Sequence, residues 1–68
     1  ETGELDLAVA AFQGTLAYHR DYPDVHYHLA RTLDELGRLD EAERHWREFL
    51  RLAPGSPWAD EAAARLGN

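Results

Sequence analysis

The sequence predicts an all-α domain of four antiparallel helices, built from a helical unit that occurs twice. The main observation is an internal repeat with a period of 34 residues, which needs no gap in this chain of 68 residues. A fixed period of this length is typical of one supersecondary unit stacked on copies of itself, and such units usually present a binding surface. The identical pairs are Glu1/Glu35, Gly3/Gly37, Leu5/Leu39, Asp6/Asp40, Ala8/Ala42, Leu16/Leu50, Pro23/Pro57, Ala30/Ala64 and Arg31/Arg65, and Phe12 recurs as the aromatic Trp46.

The composition argues against several classes of partner. The formal net charge is −6, from 13 acidic and 7 basic residues, and every basic residue is an arginine. A nucleic-acid binder normally carries a basic patch, and an anionic membrane would repel this chain on average. No apolar stretch approaches the ~20 residues of a membrane span. We therefore expect no nucleic-acid partner, no membrane partner and, without cysteine, no thiol chemistry.

The start of the sequence suggests an origin in a longer protein. It begins at Glu1 rather than at a methionine, and it begins inside a repeat. We expect an excised or processed piece of a longer protein, cytoplasmic in location because no signal-peptide pattern is present. The use of arginine without lysine is a hint of a GC-rich bacterial genome.

Turn signals divide the chain into four segments that each show helical periodicity. The breakers lie at residues 21–23, 37–38 and 54–57. The predicted helices run from about residue 4 to 19, 24 to 36, 41 to 53 and 58 to 66.

The helix ends have recognisable sequence signals. Asp40, with Glu43 three residues later, predicts an N-cap for the third helix. Ser56 before Pro57 predicts an N-cap for the fourth helix. Gly37 predicts a left-handed residue that ends the second helix.

Apolar residues at helical spacing predict the packing faces. The predicted buried stripe of the second helix is His26, Leu29, Ala30, Leu33 and Leu36, and that of the third helix is Ala42, Trp46, Phe49, Leu50 and Ala53.

The spacing of the residues from 26 to 54 resembles the tetratricopeptide repeat (TPR). The residues that carry the resemblance are His26-x2-Leu29-Ala30-x2-Leu33, then Ala42-x3-Trp46, and finally Pro54. The resemblance implies a right-handed solenoid of antiparallel helix pairs in a single domain, 1–68. Within it, 1–22 would be the second helix of a preceding repeat, 23–56 the complete repeat and 57–68 a capping helix.

The resemblance also implies a groove lined by the first helix of each pair. The residues expected to bind a partner there are Asp24, Tyr27, Arg31, Asp34, Trp58 and Arg65. Tyr, Trp and Arg are common hot-spot residues at interfaces. The alternatives are that Tyr27 packs on a neighbouring helix and that Trp58 covers the end of the core.

Catalytic and metal sites find little support. The sequence has no nucleophile motif and no glycine-rich phosphate loop, so we expect no catalytic residues and no cofactor. His26 and His28 point about 200° apart on a helix and cannot share one ion. Convergence of His19, His26 and His45 in space stays open, and we expect no metal.

The leading hypothesis is a non-catalytic protein–protein interaction module that binds a peptide or a partner helix in its groove. The second is self-assembly into homo-oligomers through an open solenoid end, because the first helix lacks the helix that should precede it. The residues expected to self-associate are Leu5, Val9, Phe12 and Leu16. An enzyme or metal-binding domain and a passive spacer are the remaining alternatives.

Overall fold

A computed structural model describes residues 3–67, and this range contains four α-helices. They are α1 (Glu4–Tyr18), α2 (Pro23–Glu35), α3 (Leu39–Leu52) and α4 (Ala59–Arg65). The predicted all-α fold of stacked helices is confirmed, and each helix begins and ends within two residues of its prediction. Glu1, Thr2 and Asn68 lie outside the described residues, as do the outer ends of the predicted segments 1–22 and 57–68.

The turn between α2 and α3 is closed by Gly37, as predicted. Gly37 has a φ of +79°, a left-handed conformation that glycine adopts without steric cost. Its N–H donates to the carbonyl of Asp34 at 3.0 Å, and the N–H of Arg38 donates to the carbonyl of Leu33 at 2.9 Å. These two bonds form a Schellman motif, which satisfies carbonyls at the end of α2 and reverses the chain within three residues.

The two predicted N-caps are wrong. Helix α3 begins at Leu39, with Arg38 as its N-cap residue and no side-chain capping bond. Asp40 instead lies inside the first turn, where its carboxylate is favourably placed near the positive end of the helix dipole. Helix α4 begins at Ala59, while the hydroxyl of Ser56 accepts a bond from the N–H of Trp58 at 3.1 Å. Ser56 therefore orders the turn that precedes α4.

Each helix packs against the next one along the chain, and the packing is most extensive between α2 and α3. Ala30 on α2 and Ala42 on α3 have no exposed surface, and as small residues they allow the two helices to lie close together. Trp46 and Leu29 fill the space around them and are also fully buried. The core therefore sits mainly between α2 and α3, in agreement with the predicted stripes.

The remaining helices complete this core from its two ends. Val9 from α1 and Ala62 from α4 are buried, and Phe12 and Leu16 of α1 pack against the same cluster. The buried residues are Val9, His26, Tyr27, Leu29, Ala30, Leu33, Ala42, Trp46, Phe49 and Ala62. Among the buried residues of α2, Tyr27 is the one that helical periodicity did not predict to be buried.

Truncation of the core should be far more costly than truncation of an exposed leucine. We expect Leu33→Ala to lower the free energy of unfolding by about 2–5 kcal/mol, because Leu33 has no exposed surface. Leu39→Ala is the matched control, because Leu39 is 61% exposed. Urea denaturation followed by circular dichroism measures both variants. Equal destabilisation by the two changes would contradict this description of the core.

Candidate functional site

Side chains of α2 and α4 meet on one surface, although the two helices are separated by α3 in the chain. We call it the α2–α4 surface and define it by residues that touch one another or the ring of Tyr27. Its members are Tyr27, His28, Arg31, Asp34, Trp58, Glu61 and Arg65. Tyr27 and Glu61 are 34 residues apart, so the surface joins equivalent positions of the two repeats.

Tyr27 lies beneath this surface and is only 4% exposed. Its ring stacks on Trp58 with a centroid distance of 4.3 Å and meets the edge of Trp46 at 5.5 Å. Its hydroxyl donates a hydrogen bond of 2.6 Å to the carboxylate of Glu61. Tyr27 was predicted to contact a partner, but the structure favours the alternative in which it packs on neighbouring helices. It supports the surface from below.

The environment of Tyr27 stabilises the neutral form of its hydroxyl. The hydrogen bond to Glu61 is the main cause that raises the pKa of Tyr27, and burial and the charge of Glu61 raise it further. Arg31 opposes this shift of the pKa, but its effect is smaller. Tyr27 therefore keeps its proton and its bond to Glu61 at neutral pH.

Asp34 connects three helices through one carboxylate oxygen. Its Oδ2 accepts a hydrogen bond from the indole N–H of Trp46 at 3.0 Å and another from the guanidinium of Arg65 at 3.2 Å. The indole donor is thereby satisfied at the buried end of the surface. Asp34 was predicted to contact a partner, and the structure gives it these two internal partners.

Arg31 and Arg65 are equivalent in the repeat but differ in their surroundings. Arg65 forms an ion pair with Asp34 and lies 4.0 Å from a carboxylate oxygen of Glu61. Arg31 is exposed, and its guanidinium carbon lies 5.7 Å from the centre of the Tyr27 ring. Among the described residues no carboxylate forms an ion pair with Arg31. Arg31 is therefore the cation of this surface that is available to a ligand.

Trp58 and Asp24, both expected to bind a partner, differ in their surroundings. Trp58 precedes α4, and its ring covers Tyr27, as one of the two alternatives predicted. The side chain is nevertheless 38% exposed, so part of it can still contact a partner. Asp24 is exposed in the first turn of α2 and, among the described residues, forms no hydrogen bond or ion pair with the other residues of the surface. His28 stacks near Phe12 and meets the edge of Trp58 at 5.9 Å. Sequence reasoning missed His28, because its neighbours come from α1 and from the segment before α4.

The residues predicted to self-associate lie on the side of α1 that faces the core. Val9 is 3% exposed, and Phe12 and Leu16 pack against the core. Leu5 has an intermediate exposure on the same face of α1. The exposed large apolar side chains of α1 are instead Leu7 and Tyr18.

Two of the four histidines converge. The Nδ1 atoms of His26 and His45 lie 3.0 Å apart, while His19 stacks on Tyr22 at 4.8 Å. Among residues 3–67, no group of three or more histidine, cysteine or acidic side chains is placed to hold a metal ion. In the same range, no helix combines the length and apolar character needed to cross a membrane.

The family model described as Tetratricopeptide repeat matches residues 1–66. Comparisons with curated proteins and with solved structures gave no significant match.

Removal of the Tyr27 hydroxyl should change both stability and its pH dependence. The folded state raises the pKa of Tyr27 above its unfolded value near 10. The protonated hydroxyl therefore stabilises the folded state below about pH 10, and this contribution is lost as the pH rises further. Tyr27→Phe should lower the free energy of unfolding by about 1 kcal/mol at neutral pH. In this variant the free energy of unfolding should also fall less steeply above about pH 10 than in the wild type. Tyr18→Phe is the control, because Tyr18 is 86% exposed. Urea titrations across this pH range would contradict the assignment if both variants behaved alike.

Proposed function

Because this chain belongs to the tetratricopeptide repeat family, whose repeats generally mediate protein–protein interactions, we propose that it is a non-catalytic module that binds a peptide or a partner helix across the α2–α4 surface. The observation that carries this proposal is the pairing of an exposed arginine and an exposed tryptophan over one buried ring. Arg31 and Trp58 both contact Tyr27, which is itself held by Glu61.

This arrangement suits recognition because Trp58 is already stacked on Tyr27 before a ligand binds. A side chain that is already ordered loses less entropy when a ligand arrives. Arginine and tryptophan are also among the residues that contribute most to binding energy at interfaces. Arg31 would receive an acidic group of the ligand, and the exposed part of Trp58 would receive an apolar one.

The predicted division of the chain remains part of the proposal. Residues 23–56 would form the complete repeat, 1–22 the second helix of a preceding unit and 57–68 a capping helix. The exposure of Asp60 and Gly67 supports this division, because their equivalents in α2, His26 and Leu33, are buried. A terminal helix in a solenoid keeps one face in water.

Loss of either exposed contact residue should weaken binding without harming the fold. A peptide selected from a displayed library against the wild-type chain serves as the probe, and isothermal titration calorimetry measures its affinity. We expect Arg31→Ala and Trp58→Ala each to reduce affinity about tenfold or more. Arg47→Ala is the control, because Arg47 pairs with Glu43 on the exposed side of α3. Binding that survives both changes would overturn the proposal.

A second candidate function is self-association through a different face of α1 from the one predicted. Leu7, Ala11, Gly14 and Tyr18 are all exposed and lie at spacings of four, three and four residues. We call this stripe the outer α1 face. It lies opposite the residues of α1 that pack on the core.

Three of the four positions of this stripe are polar in the other copy of the repeat. The equivalents of Leu7, Ala11 and Gly14 in α3 are the polar residues Glu41, His45 and Glu48. The proposed occupant is the outer α1 face of a second copy, because identical faces meet across a two-fold axis and small side chains at the centre permit a close approach.

Introduction of a charge on the outer α1 face should prevent this association. We expect the wild-type chain to form a dimer over a concentration range of about a hundredfold, and Leu7→Glu to remain monomeric. Leu39→Glu is the control, because Leu39 is similarly exposed but lies on α3. Sedimentation equilibrium measures all three chains. A monomeric wild type at every concentration would exclude self-association.

A further inference from the structure

A concave region lies between α1 and α3 and shares no residue with the α2–α4 surface. Its volume is about 550 Å³. We call it the α1–α3 concavity, and it is lined by Gln13, Leu16, Ala17, Arg20, His26, Arg44, His45 and Glu48.

Two arginines in this lining have no acidic partner. Arg20 and Arg44 form no ion pair within residues 3–67. The carboxylate of Glu41, one turn before Arg44, is bound by Arg38. Glu48, the acidic residue of the lining, is bound by Arg51 at 3.1 Å. The concavity is therefore locally positive on a chain whose net charge is −6.

The partly buried histidine pair gives the concavity a defined pattern of hydrogen bonds. The backbone carbonyl of Arg20 can only accept, so Nε2 of His26 donates to it at 2.9 Å. With both rings neutral, Nδ1 of His26 then accepts a hydrogen bond from Nδ1 of His45 at 3.0 Å. This chain of bonds leaves Nε2 of His45 as the ring nitrogen without a partner among the described residues.

Nε2 of His45 can take up a proton without loss of the pair. Protonation adds a donor at Nε2 and leaves the donor at Nδ1 unchanged. Burial is the main cause that lowers the pKa of His45, followed by His26 and Arg44, while Glu41 and Glu48 raise it by smaller amounts. A negative charge beside the ring would favour the protonated form.

We propose that the α1–α3 concavity binds a carboxylate of an acidic peptide between Arg20 and Arg44, with His45 as a third donor. Charge complementarity selects this occupant. Two guanidinium groups repel a metal cation, and two imidazoles alone are a sparse set of metal ligands. The amide of Gln13 can donate a further hydrogen bond from α1. Binding takes a proton from solvent onto Nε2 of His45, and no covalent bond changes.

The test uses a capped triglutamate peptide as the probe and a capped triglutamine peptide as its neutral control. Nuclear magnetic resonance of the labelled chain follows the imidazole of His45 and the guanidinium groups of Arg20 and Arg44. We expect triglutamate, and not triglutamine, to shift these resonances. We expect Arg20→Gln and Arg44→Gln each to weaken binding about threefold to tenfold.

Arg47→Gln is the matched control, because Arg47 lies on α3 outside the concavity and pairs with Glu43. It should leave the affinity for triglutamate unchanged. An equal loss of affinity in this variant would show that the peptide responds only to overall charge, which would overturn the proposal.

The pH dependence tests the part of His45. Affinity should rise several-fold between about pH 8 and pH 6, because binding is coupled to proton uptake. His45→Gln should remove most of this dependence while circular dichroism shows an unchanged helical content. A dependence that persists in this variant would overturn the assigned donor.

Inorganic phosphate is the remaining arm of the test. Equal shifts with phosphate and triglutamate would mean that the concavity accepts any small oxyanion, and the peptide assignment would be wrong. The readout separates this site from the α2–α4 surface, because the resonances followed are those of Arg20, Arg44 and His45, which lie outside that surface.

Discussion

The close approach of α2 and α3 is the constraint on which the rest of the molecule depends. Ala30 and Ala42 are fully buried in the core cluster between these helices, and their small size leaves space for Trp46 to lie beside them. Trp46 in turn donates its indole N–H to Asp34, so its position fixes that carboxylate at the edge of the core. Asp34 then binds Arg65 and links α4 to the other two helices. A larger residue at either alanine would separate α2 from α3 and disturb this whole series of contacts.

Much of the fold could be predicted from the sequence because it depends on local spacing. The period of 34 residues, the stripe from Ala42 to Phe49 and the turn at Gly37 are properties of neighbouring residues, and the structure confirms them. The N-caps were predicted less well. Asp40 and Ser56 have the right chemistry, but Arg38 and Trp58 precede the two helices. A cap depends on the register at which a helix docks on the core, and tertiary packing sets that register.

The candidate binding surface was harder to predict, because its residues are joined by long-range contacts. Tyr27 lies beside the predicted apolar stripe of α2, where helical periodicity alone suggests a partly exposed residue. It is buried because Trp58 and Glu61 approach it from a segment more than 30 residues further along the chain. Its partner Glu61 occupies the same position of the following repeat. The repeat therefore identified positions that meet in space, but it did not show which of them would be covered.

Equivalent positions acquire different roles because their neighbours in the stack differ. Helix α2 contacts α1, α3 and α4, whereas α4 contacts α2 and α3 within the described residues. Tyr27 is enclosed by aromatic rings from α3 and from the segment before α4, while Glu61 at the same repeat position stays partly exposed and accepts a hydrogen bond from the Tyr27 hydroxyl. Arg65 is held by Asp34, while Arg31 lies over the Tyr27 ring without an acidic partner among these residues. In a stack with only nearest-neighbour contacts, the place of a unit along the stack thus decides whether a given position stabilises the fold or remains available to a ligand.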